Sequence, residues 1–150
     1  MTHLITRLFL AASILSASAP LAQAVRATGV AEQDGVKLDR DKVRYGDASQ
    51  FDAKRGDKVG TVRSTEVYEA IPAYKTIKKE GVTEGSARWQ QLMREATEAY
   101  KNALRSVASN QSLVIIVEEG GISGYGQVSD VTSSVIGAVG AAVFNAVAAF

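Results

Sequence analysis

The chain contains no cysteine, and its single histidine, His3, lies at the extreme N-terminus. Without cysteine there is no disulfide framework, no thiol nucleophile and no thiolate ligand for zinc. Without a histidine in the body there is no imidazole to act as general base or metal ligand. An excess of one charge sign is also lacking. Lysine and arginine number 17 against 16 acidic residues, a formal net charge of +1. That balance supplies no basic footprint for nucleic acid, and no nucleic-acid partner is expected. A catalytic role is not expected either, and no catalytic residue, cofactor or metal ligand is assigned.

The remaining chemistry-bearing residues support this reading. The densest acidic stretch, Asp39-Arg40-Asp41, is broken by a cation and lacks the spaced carboxylates of a calcium loop. Glu118 and Glu119 are adjacent, so on a strand they would point to opposite faces and make poor acid–base partners. The glycine-rich run GGISGYG, residues 120–126, begins a G-x-S-x-G elbow at Gly121, but Tyr125 stands where the last glycine belongs. It also lacks the lysine of a phosphate loop. These glycines read as turn geometry.

Long hydrophobic runs are scarce, and the two that exist lie at the ends. Residues 1–24 have the three parts of a signal peptide. A short n-region carries Arg7, an apolar core reads LFLAASIL, and Ala22-Gln23-Ala24 fits the small-x-small cleavage rule. The apolar core is too short to span a bilayer, which takes about 20 residues. Export to the periplasm of a Gram-negative-type envelope is therefore expected. The C-terminal tail, residues 131–150, runs from Val131 to Phe150 without a charge. Three readings stand for it: a helix docked on the body, a segment in contact with a membrane, or a glycine-mediated self-association strip.

Between these ends the pattern predicts an α+β domain. Residues 25–57 are polar and glycine-punctuated and read as a mostly flexible arm with one short edge strand around Val43. KVGTVR, with Val59 and Val62, reads as a strand. Val67, Ile71, Tyr74 and Ile77 then follow helical spacing, interrupted by Pro72, which kinks the helix or starts a new one. A short linker from Gly81 to Gly85 leads into the clearest element. Trp89, Leu92, Met93, Ala96, Tyr100, Ala103, Leu104 and Val107 form one apolar stripe on a long helix. The short linker predicts that this helix folds back antiparallel. Leu113, Ile115 and Val117 lie in SLVIIV, a buried strand, and residues 122–128 are expected to return as its hairpin partner.

Three stretches in this order carry a resemblance: KVGTVRSTEVYEAIPAYK, LRSVASNQSLVIIVEEGGI and SDVTSSVI. Together they resemble the OmpH/Skp-type periplasmic chaperone family. The resemblance implies a small antiparallel β-body at residues 58–136 with a protruding antiparallel, coiled-coil-like helical hairpin. An apolar helical extension follows at residues 137–150. It implies a trimer associating through Val59, Val62, Leu113, Ile115 and Val117. Trp89, Leu92, Ala96, Tyr100, Leu104 and Val107 become the hairpin seam, and unfolded outer-membrane proteins become the clients. The helical segments are shorter than the family's arms, and their charge is nearly balanced rather than cationic. The expectation is thus an OmpH-like, non-enzymatic binding protein. The alternative is an envelope structural protein held to a membrane by its uncharged tail.

Overall fold

A computed structural model describes residues 30–33 and 35–147, with side chains over residues 35–141. The proposed signal peptide lies outside the described residues. The chain order is β1 (Val30–Gln33), β2 (Val36–Asp39), β3 (Val43–Tyr45) and β4 (Val59–Val62). Three helices follow, α1 (Ser64–Ala70), α2 (Pro72–Glu80) and α3 (Ala87–Gln111). The chain ends with β5 (Ile115–Glu118), β6 (Ile122–Ser123), β7 (Val128–Asp130) and α4 (Thr132–Val147). The fold class is α+β.

The strands form a four-stranded sheet in the order β3-β5-β4-β7 and a three-stranded sheet in the order β1-β2-β6. The larger sheet is the middle layer. Ile116 and Val62 face the helices and join Val67, Ile71, Leu104, Val107, Val131 and Val135 in one core. Ile115, Val117 and Val59 face the other way and join Val36, Leu38 and Phe51 in a second core under the small sheet. This explains why β5 reads as an unbroken apolar run. A strand covered on both faces has no solvent side to mark with polar residues.

Four expectations are corrected here. First, the β-body is not antiparallel throughout. β4 pairs parallel with both β5 and β7, and only β3 pairs antiparallel with β5. Parallel neighbours need a long crossover, and α1, α2 and α3 together are that crossover between β4 and β5. Second, β5 has no hairpin partner in residues 122–128. Both its edges are occupied, by β3 and β4, so the chain turns out of the sheet at Gly120-Gly121. Ile122 and Ser123 then pair with Leu38 and Lys37 of β2, while Val128 to Asp130 take the free edge of β4. Gly124 is needed at this crossing. Its φ is +74°, and a Cβ there would stand 2.5 Å from the Gly35 carbonyl oxygen.

Third, the segment expected to be a flexible arm, residues 25–57, is ordered over its described part. Val36, Leu38 and Phe51 are buried core residues. The loop 46–58 is held by Asp57. Its carboxylate accepts hydrogen bonds from Arg55 Nε at 2.7 Å, Arg55 Nη2 at 2.5 Å and the Asp52 amide at 3.0 Å. Tyr125 donates its hydroxyl to the Asp57 carbonyl at 2.6 Å and packs edge-on against Phe51.

Fourth, the long helix α3 is not an arm. Ala96, Tyr100, Ala103, Leu104, Val107 and Ala108 are buried in the helix-side core. Tertiary packing has taken the stripe that periodicity alone would assign to a partner helix. The helices break where the sequence marks them. Pro72 starts α2 afresh after an extended Ile71, and Gly81 ends it in the left-handed region. Ser86 caps α3 by accepting the Trp89 amide at 3.2 Å. The last helix begins at Thr132, and its Val135 and Val139 are buried in the helix-side core. Among the described residues no helix is long and apolar enough to cross a membrane.

Candidate functional site

In sheets with parallel strands, ligands collect at the carboxyl ends. Here those ends carry Val62-Arg63-Ser64 after β4, Glu118-Glu119 after β5 and Asp130 after β7. The centre is Glu118. One of its oxygens accepts the Ser64 amide at 2.9 Å, and the other accepts Arg44 Nε at 2.9 Å together with the Ser64 hydroxyl. The single Ser64 proton is directed at Glu118, so Tyr100 donates its own hydroxyl to Ser64 Oγ, 2.7 Å away. The Tyr68 ring packs on Tyr100 with centroids 5.0 Å apart.

Burial pushes the Glu118 carboxyl up, but the side-chain and backbone bonds from Ser64 and the Arg44 guanidinium outweigh it. The group is held below the ordinary glutamate value. Burial raises the Tyr100 phenol. A carboxylate held low is a weak base, and a phenol held high is a poor nucleophile near neutral pH. Glu119 points away and is 65% exposed, so the two carboxylates do not share a proton.

Beside this network, Arg63 spans Glu66 at 2.6 Å and Asp130 at 3.0 Å, with Glu119 at 3.8 Å. Asp130 also caps α4 by accepting the Thr132 amide at 2.9 Å, and Thr132 Oγ1 in turn accepts the Arg63 amide at 3.1 Å. The Thr132 hydroxyl and amide hold the Asp130 carboxyl low, with Arg63 adding to the effect. Each of these charges is met from within the chain. The cluster ties β4, β5, β7 and two helix starts together. Among the described residues no three His, Asp or Glu side chains are grouped to hold a metal ion.

The expected site residues divide between three places. Ala96, Tyr100, Leu104 and Val107 are buried in the helix-side core. Val62 and Leu113 lie in that core too, whereas Val59, Ile115 and Val117 lie in the core between the sheets. These five β residues are at most 8% exposed within the single chain, so they offer no surface to a second copy. This corrects their assignment to an interface between subunits. Trp89 and Leu92 alone of the expected seam remain half-buried.

At that end of α3 the helices leave an open groove of about 450 Å³. Tyr74, Ile77, Lys78, Val82, Trp89 and Met93 line it. A second groove of similar size, lined by Glu69, Tyr74, Lys75, Lys78 and Lys79, adjoins it through the shared Tyr74 and Lys78. Lys78 Nζ stands 5.6 Å from the Tyr74 ring centroid, and Tyr68 meets Tyr74 edge-on at 5.7 Å. The surface is aromatic and aliphatic along its floor, and Lys75, Lys78 and Lys79 outnumber the two carboxylates of its lining, Glu69 and Glu84. The sequence signal for it was the amphipathic face of α2 meeting the first turns of α3, which was read only as a seam. Compared with known protein families, with characterised proteins and with solved structures, the chain matches none.

Proposed function

We propose that the protein is an exported, non-enzymatic binding protein of the cell envelope that holds polypeptide segments on the α2–α3 groove. One observation carries the reading. Trp89, Met93, Tyr74 and Val82 present apolar surface in one groove at the end of α3, flanked by Lys75, Lys78 and Lys79. Tryptophan, tyrosine and methionine are enriched in protein contacts, the aromatic rings because they offer much apolar area at low entropic cost and methionine because its flexible thioether adapts to its partner. The lysine rim favours segments that carry acidic side chains beside apolar ones. Unfolded outer-membrane proteins are the client class. At the carboxyl pole, Glu118 and Arg63 are each bonded to several neighbours within the chain.

The test is suppression of aggregation. The purified protein at equimolar ratio should slow light scattering by a denatured outer-membrane protein diluted into buffer. A Trp89→Ala, Tyr74→Ala double variant should lose most of that effect while keeping its fold. A wild-type protein that leaves the scattering curve unchanged would sink the proposal.

A further inference from the structure

A third groove lies at the opposite pole, where the parallel strands begin. It has a volume of about 550 Å³, and Lys58, Asn110, Ser112, Leu113, Gln127 and Ser129 contribute to its walls. The backbone fixes its shape. The Val114 amide donates to the Lys58 carbonyl at 2.9 Å, and the Val59 amide donates to the Gln127 carbonyl at 3.0 Å, so three chain segments meet there rigidly.

The two poles of the sheet differ in chemistry. The carboxyl pole collects Glu66, Glu118, Glu119 and Asp130. Among the described residues no carboxylate lines the groove at the amino pole, and Lys58 is the only charge on its walls. The side chains of Lys58, Asn110, Ser112, Gln127 and Ser129 have no partner among the described residues. At the carboxyl pole, Glu118 and Arg63 are each bonded to several neighbours. Five unpaired polar groups thus border one preformed concavity over a buried leucine.

Ser112 adds an independent observation. It is the residue after α3 and sits at φ +55°, ψ +44°, the only non-glycine with positive φ among the described residues. This position closes helices most cheaply with glycine or asparagine. A serine there costs backbone strain, which points to a use for the side chain. That side chain is an unpaired hydroxyl on the groove wall.

We infer that this groove binds a short acidic saccharide. Amides and hydroxyls both donate and accept, as sugar hydroxyls do, so Asn110, Gln127, Ser112 and Ser129 match a polyhydroxylated ring. Lys58 pairs with one carboxylate on that ring. Val128, half-buried on the wall, meets its C–H face. The groove holds no aromatic side chain and little apolar wall, unlike the α2–α3 groove, and does not suit an apolar peptide.

The experiment is a titration of the purified full chain with trigalacturonate, followed by amide NMR shifts and calorimetry. Maltotriose serves as the neutral control. Trigalacturonate should shift the Ser112, Gln127 and Ser129 amides and bind at least tenfold tighter than maltotriose. Lys58→Met should weaken binding by about tenfold, the effect of one charge-assisted contact. Ser112→Gly separates a ligand role from a structural one. Glycine relieves the backbone, so the thermal midpoint should hold or rise while affinity falls severalfold. Equal binding of maltotriose, shifts confined to other residues, or a Ser112→Gly variant that binds as tightly as wild type would each overturn the assignment.

Discussion

Ser64 and Glu118 are 54 residues apart in sequence and are joined by two hydrogen bonds, one from the Ser64 amide and one from its hydroxyl. Glu118 therefore supplies an acceptor at the start of α1 from the far side of the crossover. The geometric N-cap of that helix, Arg63, makes no side-chain cap bond. Ser64→Ala leaves the Tyr100 hydroxyl without its acceptor and removes one donor from Glu118. A loss of about 1–2 kcal/mol is expected, measurable as a lower urea midpoint with an unchanged slope. Tyr100→Phe removes only the end of the chain of bonds and should cost about 1 kcal/mol or less.

Acid should act through the same group. Glu118, Asp57 and Asp130 all have folded pKa values below their ordinary ones. The unfolded chain thus takes up protons at a higher pH than the folded one. Their stabilisation is complete above the ordinary carboxylate range, about pH 4, and is lost as pH falls through the folded values. Unfolding free energy should be flat from pH 7 to about 5 and drop below that. Glu118→Gln should lower the plateau and make the acid limb shallower. An acid limb of unchanged steepness would show that Glu118 is not a contributor.

The loop 46–58 depends on Asp57, which is 8% exposed and bonded to Arg55 and Asp52. Asp57→Ala strips these bonds and leaves Phe51 and Tyr125 with a loosened cover. Trypsin should then cut after Arg55 under conditions where the wild type resists. Global stability should fall by about 2 kcal/mol.

Gly60 sits where the sheet and helices come closest. A Cβ there would lie 2.9 Å from Leu113 Cδ1 and 3.1 Å from Val131 Cγ2. Gly60→Val would force both apart and should cost about 1–3 kcal/mol. Thermal unfolding checks it, and a midpoint equal to wild type would mean that the core yields freely.

The parts legible in the sequence were those with one strong local signal. α3 could be read because its apolar stripe keeps helical spacing from Trp89 to Val107, and β5 because Ile115, Ile116 and Val117 are consecutive. The Pro72 start and the Gly81 stop are local too. β2 carries a weaker signal. Val36 and Leu38 alternate with Lys37 and Asp39, the period of a half-buried strand, but four residues among charges read as linker. The pairing of β4 with β5 and β7 could not be read from short runs, since register and direction are settled by which edges are already occupied. The Ser64–Glu118 link was invisible for the same reason. In the sequence Glu118 is one of two adjacent carboxylates, and only the crossover brings Ser64 and Arg44 to it. The α2–α3 groove was half legible. Tyr74, Ile77, Trp89 and Met93 stand on apolar helix faces in the sequence, Val82 and the lysine rim do not, and the second half of the α3 stripe is core.

The placement of β4 has a consequence for how the chain acquires its shape. Val59 pairs with both Ile115 and Val128, so neither neighbour exists when β4 leaves the ribosome. β4 must wait, with both edges open, until the crossover helices and then β5 have followed. Closing such distant pairs is slow, because the loop entropy is spent before the contacts reward it. α2 and α3 are local and can form at once. Assembly should therefore run from a helical intermediate to a late, cooperative closing of the central strands. During that interval the unpaired edges of β4 are open to pairing with another chain.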